Sequence, residues 1–154
     1  MPHISDHIQA EIDKLCAQGD VQADLANFPA ALDAYWAAWD LLPEPKLDCE
    51  AATWILAAVG DANFLGGDYV AGRDNLSTVM HCPGAIAIPF LHMRLGQCQY
   101  ELGDRSSAID ELLRAYLVGG ASLFDDEDPK YLDCLSTETG NTTRKHWKFW
   151  NKST

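Results

Sequence analysis

Apolar residues recur every three or four positions along most of the chain, and glycine, proline and polar residues separate the resulting segments. This spacing predicts six helices and a shorter closing helix. The predicted ranges are about 4–25, 29–42, 49–65, 69–80, 86–102 and 106–118, with the closing helix near 129–137. Sustained alternation of apolar and polar positions, which would predict strands, does not occur. The sequence therefore predicts an all-α protein.

The predicted helices form a repeated pattern. The stretch at 58–80 aligns with the stretch at 94–116 at a constant offset of 36 positions, and the stretch at 17–43 joins the same frame at an offset of 41. Each copy contains two helices joined by a short turn, and a residue suited to cap the second helix follows the turn. These capping residues are Asn27, Asp68 and Asp104. The pattern predicts three helical hairpins.

A glycine lies at the same position of the first helix in each copy, and the three residues are Gly19, Gly60 and Gly96. Glycine within a helix costs about 1 kcal/mol relative to alanine, so a packing reason is expected. We expect these glycines where the two helices of a hairpin cross most closely. Ala108 and Ala115 would lie where the second helix meets the next unit, and larger side chains at such places would cost roughly 1–3 kcal/mol.

With its small-x-x-aromatic first helix, Gly-Asp turn and spaced alanines on the second helix, the repeated unit resembles the tetratricopeptide repeat. The third unit matches best, through Leu95, Gly96, Tyr100, Gly103, Asp104, Ala108, Leu112 and Ala115. The resemblance implies a superhelical stack of three such hairpins plus a C-terminal capping helix, which is an α-solenoid. The expected units span about 5–43, 49–82 and 85–119, the capping helix spans about 129–137, and together they form one domain at 1–137.

The formal net charge of the chain is −12, and all 23 acidic residues lie within 1–140. The tail at 138–154 is basic and contains Trp147 and Trp150. An acidic body repels phosphate backbones, so a basic partner is expected and nucleic-acid binding is not. Because the chain lacks both a long apolar run and a signal-peptide pattern, membrane insertion and export are not expected. Five cysteines without a C-x-x-C pair favour a reducing, cytoplasmic setting.

Candidate catalytic and metal-binding residues are few. His3 and His7 lie one helical turn apart, but no glutamate-bearing motif accompanies them. The acidic run at 124–135 lacks the spacing of a calcium loop, so we expect it to begin and cap the closing helix, with docking of a basic partner as another possibility. Either packing or groove lining would explain His92. Without a nucleophile, phosphate-loop or metal motif, we expect no enzyme, metal or cofactor.

By the resemblance, the first helices of the hairpins line a concave groove that binds the partner. The groove positions carried over from the family are Asp13, Asp20, Asp24, Trp54, Asp61, Phe64, Phe90, Met93, Gln97, Tyr100 and Glu101. Such a groove would be aromatic in the middle and acidic at its sides, which suits a partner rich in Lys and Arg. The alternative for each aromatic residue is that it fills the interior. For the set as a whole we expect exposure, because stacked units present a continuous inner face and aromatic anchors are common in binding sites.

As a whole, the chain is similar to small bacterial tetratricopeptide proteins, some of which are immunity proteins of polymorphic toxins. The resemblance implies that the chain binds a cognate toxin domain in the cytoplasm and neutralises it. The alternative is a chaperone or adaptor that holds an exported or unfolded segment, for which a short peptide would suffice. An enzyme or metalloprotein is the competing class. The sequence leaves the oligomeric state open.

Overall fold

A computed structural model describes residues 2–137, and this part of the chain contains seven α-helices and no strand. The prediction of an all-α protein is therefore confirmed. The helices are α1 (Asp6–Asp24), α2 (Phe28–Asp40), α3 (Glu50–Leu65), α4 (Tyr69–Val79), α5 (Pro89–Glu101), α6 (Arg105–Gly119) and α7 (Pro129–Thr137). Short 3-10 segments occur at Lys46–Asp48, Ala85–Ala87 and Ala121–Phe124. The basic tail predicted at 138–154 lies outside the described residues.

Helix α5 begins later than predicted. The sequence pattern placed its start near residue 86, whereas residues 85–87 form a 3-10 segment and the α-helix begins at Pro89. Ile88 is extended, with φ −96° and ψ 107°, because a residue that precedes proline is disfavoured in the helical region. Proline in turn is favoured at the first helical position, where its missing N–H has no helical partner to lose.

The three predicted caps form at the second helix of each hairpin. The side chains of Asn27, Asp68 and Asp104 each accept a hydrogen bond from the backbone N–H three residues later, over distances of 3.4, 3.2 and 3.3 Å. The residue directly before each cap has a positive φ. Gly67 and Gly103 have φ 83°, and Ala26 has φ 58°. The three turns therefore share one backbone shape, which costs more at Ala26 because alanine carries a Cβ atom.

The glycine that recurs in each unit faces the side chain sixteen positions further along the chain. A Cβ atom placed on Gly60 would lie 2.5 Å from Cγ of Leu76, and one on Gly96 would lie 2.7 Å from Cγ of Leu112. A Cβ atom on Gly19 would collide with the ring of Tyr35 in the same way. The close crossing predicted for these glycines is confirmed, and the three contacts recur at offsets of 41 and 36 positions.

Consecutive helices pack against one another along the chain, and α3 also contacts α5. Two clusters of buried side chains result, one from α1 to α5 and one from α5 to α7. Phe64 and Phe90 pack against both clusters and join them. Ala108 and Ala115 are fully buried on α6, as expected of small residues at a helix contact.

His92 packs inside the protein and does not line a surface. Its side chain is 8 % exposed and lies between two hydrogen-bond partners. The Nε2 atom donates to the carbonyl oxygen of Ile86 over 2.8 Å, and Nδ1 lies 2.6 Å from the carboxylate of Glu111. His92 thus ties the 3-10 segment before α5 to the middle of α6.

Candidate partner-binding surface

The first helices of the three hairpins carry all of the predicted groove residues, but their exposure differs from unit to unit. On α1 the side chains of Asp13, Asp20 and Asp24 are exposed. On α3 Trp54 is 65 % exposed and the Asp61 side chain is 34 % exposed. On α5 Met93 and Gln97 are 1 % and 0 % exposed. The remaining predicted residues are partly buried, and they are Phe64, Phe90, Tyr100 and Glu101.

The C-terminal segment, residues 121–137, covers the third-unit part of the predicted groove. Met93 packs in one cluster with Phe124 and Tyr131 of this segment. The ring of Tyr131 lies 6.2 Å from the ring of Phe64 and 5.3 Å from that of Tyr100, in edge-to-face geometry. The expectation that the aromatic set is exposed therefore fails on α5 and at the end of α3, because the chain's own C-terminal segment occupies that space.

Arg94 is a buried arginine between α3, α5 and the C-terminal segment, and its side chain is 9 % exposed. Its Nε atom donates to the Asp61 carboxylate over 2.7 Å, and Nη1 donates to Oε1 of Gln97 over 2.8 Å and to the carboxylate of Glu127. The guanidinium group also stacks at 4.6 Å from the centre of the Phe64 ring. Two carboxylates and an aromatic face thus bind a guanidinium group within the chain.

The sequence reasoning missed this arginine, although the sequence carried a signal for it. Arg94 is a lone charge in the apolar stretch 85–95, and in the aligned units alanine stands at its place, as Ala17 and Ala58. The acidic run contributes to the same cluster through Glu127, whereas Asp128 accepts from the backbone N–H of Lys130 over 3.0 Å at the start of α7. The expected capping by this run is confirmed for Asp128.

Glu101 lies at the end of α5 and binds the start of α7. Its carboxylate is 2.6 Å from Nζ of Lys130 and accepts a hydrogen bond of 2.6 Å from the hydroxyl group of Tyr131. Burial raises the pKa of Glu101, but these two hydrogen bonds outweigh it, and the pKa lies below its usual value of 4.5. Glu101 therefore serves an intramolecular contact in this structure.

The part of the predicted groove on α1 and α3 stays open, and we call Asp13, Asp20, Asp24, Trp54 and Asp61 the open surface. Three of its carboxylates act on two neighbouring titratable groups. Burial together with the charges of Asp20 and Asp13 raises the pKa of the Cys16 thiol to about 11. Burial, a 2.7 Å hydrogen bond to Asp20 and the charge of Asp61 raise the pKa of Tyr35. The open surface therefore combines an exposed tryptophan with four acidic side chains.

Within residues 2–137, no three His, Cys, Asp or Glu side chains are grouped so that they could hold a metal ion. His3 and His7 are both exposed at the start of the chain. Over the same range, no helix combines the length and the apolar character that a bilayer span requires.

Neither the family models nor the curated proteins compared with this chain give a match. Function is therefore inferred from the geometry and charge of the open surface, together with the resemblance seen in the sequence.

Proposed function

We propose that this chain is a non-enzymatic protein-binding module whose open surface binds a basic protein. The observation that carries the proposal is Trp54, which is 65 % exposed on α3, the helix that also carries Asp61. Tryptophan is highly buried on average in folded proteins, and it is enriched among the residues that dominate binding energy. The surrounding negative charge favours Lys and Arg on the partner and repels nucleic acid.

The resemblance to bacterial tetratricopeptide immunity proteins makes the proposed partner more specific. In this proposal the chain binds a cognate toxin domain in the cytoplasm and blocks it by covering a basic surface that the toxin needs. Trp54 would insert as the apolar anchor, and Asp13, Asp20 and Asp24 would neutralise the surrounding cations. The mechanism is steric and electrostatic and requires no cofactor.

The C-terminal segment favours a folded partner over an extended one. A chaperone groove for an unfolded segment would continue from α1 across α3 to α5, but residues 121–137 occupy that path over α5. The open surface extends over two first helices only, which suits a protruding patch of a folded domain. The chaperone or adaptor function therefore remains the second candidate.

Coexpression tests this proposal. The protein encoded by the neighbouring reading frame should stop growth when expressed alone, and the wild-type chain should restore growth. We expect W54A to lose the protection, whereas V118A, which removes another exposed apolar side chain on α6, should keep it. Equal protection by both variants would contradict the role of the open surface. Stoichiometric zinc or calcium in the purified chain would favour the metalloprotein class instead.

A further inference from the structure

Arg94 shows how side chains of the repeated units bind a guanidinium group within the chain. The guanidinium group lies 5.1 Å from the centre of the Phe90 ring, four residues earlier on α5. Asp61, on the first helix of the preceding unit, and Gln97, on α5, accept its hydrogen bonds. On α5 and in the unit before it, the binding set is thus an aromatic residue, an acceptor three residues after the arginine and a carboxylate. Phe64 and, from the C-terminal segment, Glu127 complete the set.

The alignment of the units carries this set to the open surface one unit upstream. The glycine contacts described above fix the offsets, so Phe90 corresponds to Trp54, Gln97 corresponds to Asp61, and Arg94 corresponds to Ala58. With the offset of 41, Asp61 of the second unit corresponds to Asp20 of the first. The carboxylates of the filled set are Asp61 and Glu127, and those of the upstream set are Asp20 and Asp61. The upstream set therefore keeps an aromatic residue and two carboxylates but lacks the arginine.

The chain leaves the position of the arginine open in this upstream set. Ala58 is half-buried and ends at its Cβ atom, and Trp54 beside it remains exposed. Asp20 and Asp61 each retain exposure although they bind Tyr35 and Arg94. Ala23 stands where Phe64 stands in the filled set, so the approach from solvent is wider.

We propose that the open surface contains a site for an arginine side chain of the partner, whose guanidinium group stacks on Trp54 and binds Asp20 and Asp61, as Arg94 binds one unit further along. This inference deepens the proposed function and rests on it. Arginine is favoured over lysine because its planar fork can bind two carboxylates while its face lies on the indole. The partner would thus insert one arginine in place of the one that this unit lacks.

The first test uses a synthetic peptide, Gly-Arg-Gly-Arg-Gly, with its lysine counterpart as a control, titrated into the full chain. The peptide should shift the indole N–H signal of Trp54 and the amide signal of Asp20 in ¹H–¹⁵N spectra, and the lysine peptide should shift them less at equal concentration. W54A should bind the arginine peptide about tenfold more weakly. Equal shifts by the two peptides, or equal affinity of W54A and wild type, would overturn the arginine site.

The second test fills the site from within. A58R should shift the Trp54 indole signal without peptide and weaken arginine-peptide binding about tenfold, because the new guanidinium group takes the place that Arg94 has on α5. A87R adds the same charge at an exposed position and should leave the Trp54 indole signal and the affinity for the arginine peptide unchanged. If A58R binds the peptide as A87R does, the arginine site is wrong. This outcome is distinct from failure of the proposed function. If the proposed function is wrong, neither the wild type nor any variant binds the protein encoded by the neighbouring reading frame.

Discussion

The hydroxyl group of Tyr131 on α7 donates a hydrogen bond of 2.6 Å to the carboxylate of Glu101 on α5. The same ring packs edge-to-face with Tyr100 and Phe64, so one side chain binds three residues predicted to face a partner. This contact holds residues 121–137 over α5 and determines where the predicted groove ends. The open surface that remains, on α1 and α3, is the basis of the proposed function.

The stability contributed by Glu101 should depend on pH. Its pKa is lower in the folded protein than the usual 4.5, so the stabilisation is present above about pH 4.5 and is lost as the pH falls through the folded-state value. We expect E101Q to melt at a lower temperature than wild type at pH 7, and the two melting temperatures to converge between about pH 5 and pH 3. Thermal unfolding followed by circular dichroism measures this. A gap in melting temperature that is constant from pH 7 to pH 3 would contradict it.

Removal of Arg94 should destabilise the fold strongly. R94M leaves the carboxylates of Asp61 and Glu127 without their buried cation, and breaking such a pair costs on the order of 3 kcal/mol. R73M is the matched control, since Arg73 is 42 % exposed and pairs with an exposed Asp74, and it should cost at most about 1 kcal/mol. Urea denaturation gives both values. Equal losses in the two variants would show that the cluster is not structurally important.

The close helix crossing at Gly60 predicts that the effect of G60A on the free energy of unfolding changes sign when Leu76 is also replaced. G60A should destabilise the chain by roughly 1–3 kcal/mol, because its Cβ atom would lie 2.5 Å from Cγ of Leu76. In the L76A background the space is free, and the same G60A substitution should stabilise by about 1 kcal/mol through helix propensity. Urea denaturation of the four proteins measures the coupling. An identical effect of G60A in both backgrounds would contradict the close crossing.

Burial, and after it the charges of Asp20 and Asp13, raise the pKa of the Cys16 thiol, so this thiol responds in part to the carboxylates of the open surface. With its pKa raised from 9.0 to about 11, its thiolate fraction at pH 8 is about a hundredfold lower than that of an ordinary cysteine. Alkylation of Cys16 by iodoacetamide should therefore be slow at pH 8 and accelerate up to about pH 11. D13N/D20N should accelerate it at pH 8, whereas D110N on α6 should not. Mass spectrometry of the alkylated peptides gives the rates, and equal rates in both variants would argue against converging carboxylates.

The hairpins could be predicted from the sequence because their determinants are local and repeated. Asn27, Asp68 and Asp104 cap helices through residues three positions away, and Gly60 meets Leu76 within a single hairpin. Such contacts occur at fixed separations along the chain, and alignment of the units shows which residues have these separations. The start of α5 was misplaced because apolar residues 85–88 fit the helical spacing, while Pro89 restricts the backbone before it.

The covered part of the groove could not be predicted in the same way. Tyr131 reaches Phe64 and Tyr100 across a separation of 67 and 31 positions, and no repeat frame includes residues 121–137. Met93 packs in the same cluster as Tyr131. Arg94 was within reach of the sequence, because the aligned units have alanine at its position.

Binding of the neighbouring gene product, measured by isothermal titration calorimetry, tests the central claim most directly. The wild-type chain should bind the folded neighbouring gene product tightly, with an affinity that falls as the salt concentration increases. The triple substitution D13N/D20N/D24N should weaken binding at low salt by at least tenfold and reduce the salt dependence. Equal affinity and equal salt dependence of the two chains would show that the open surface around Trp54 does not bind the partner.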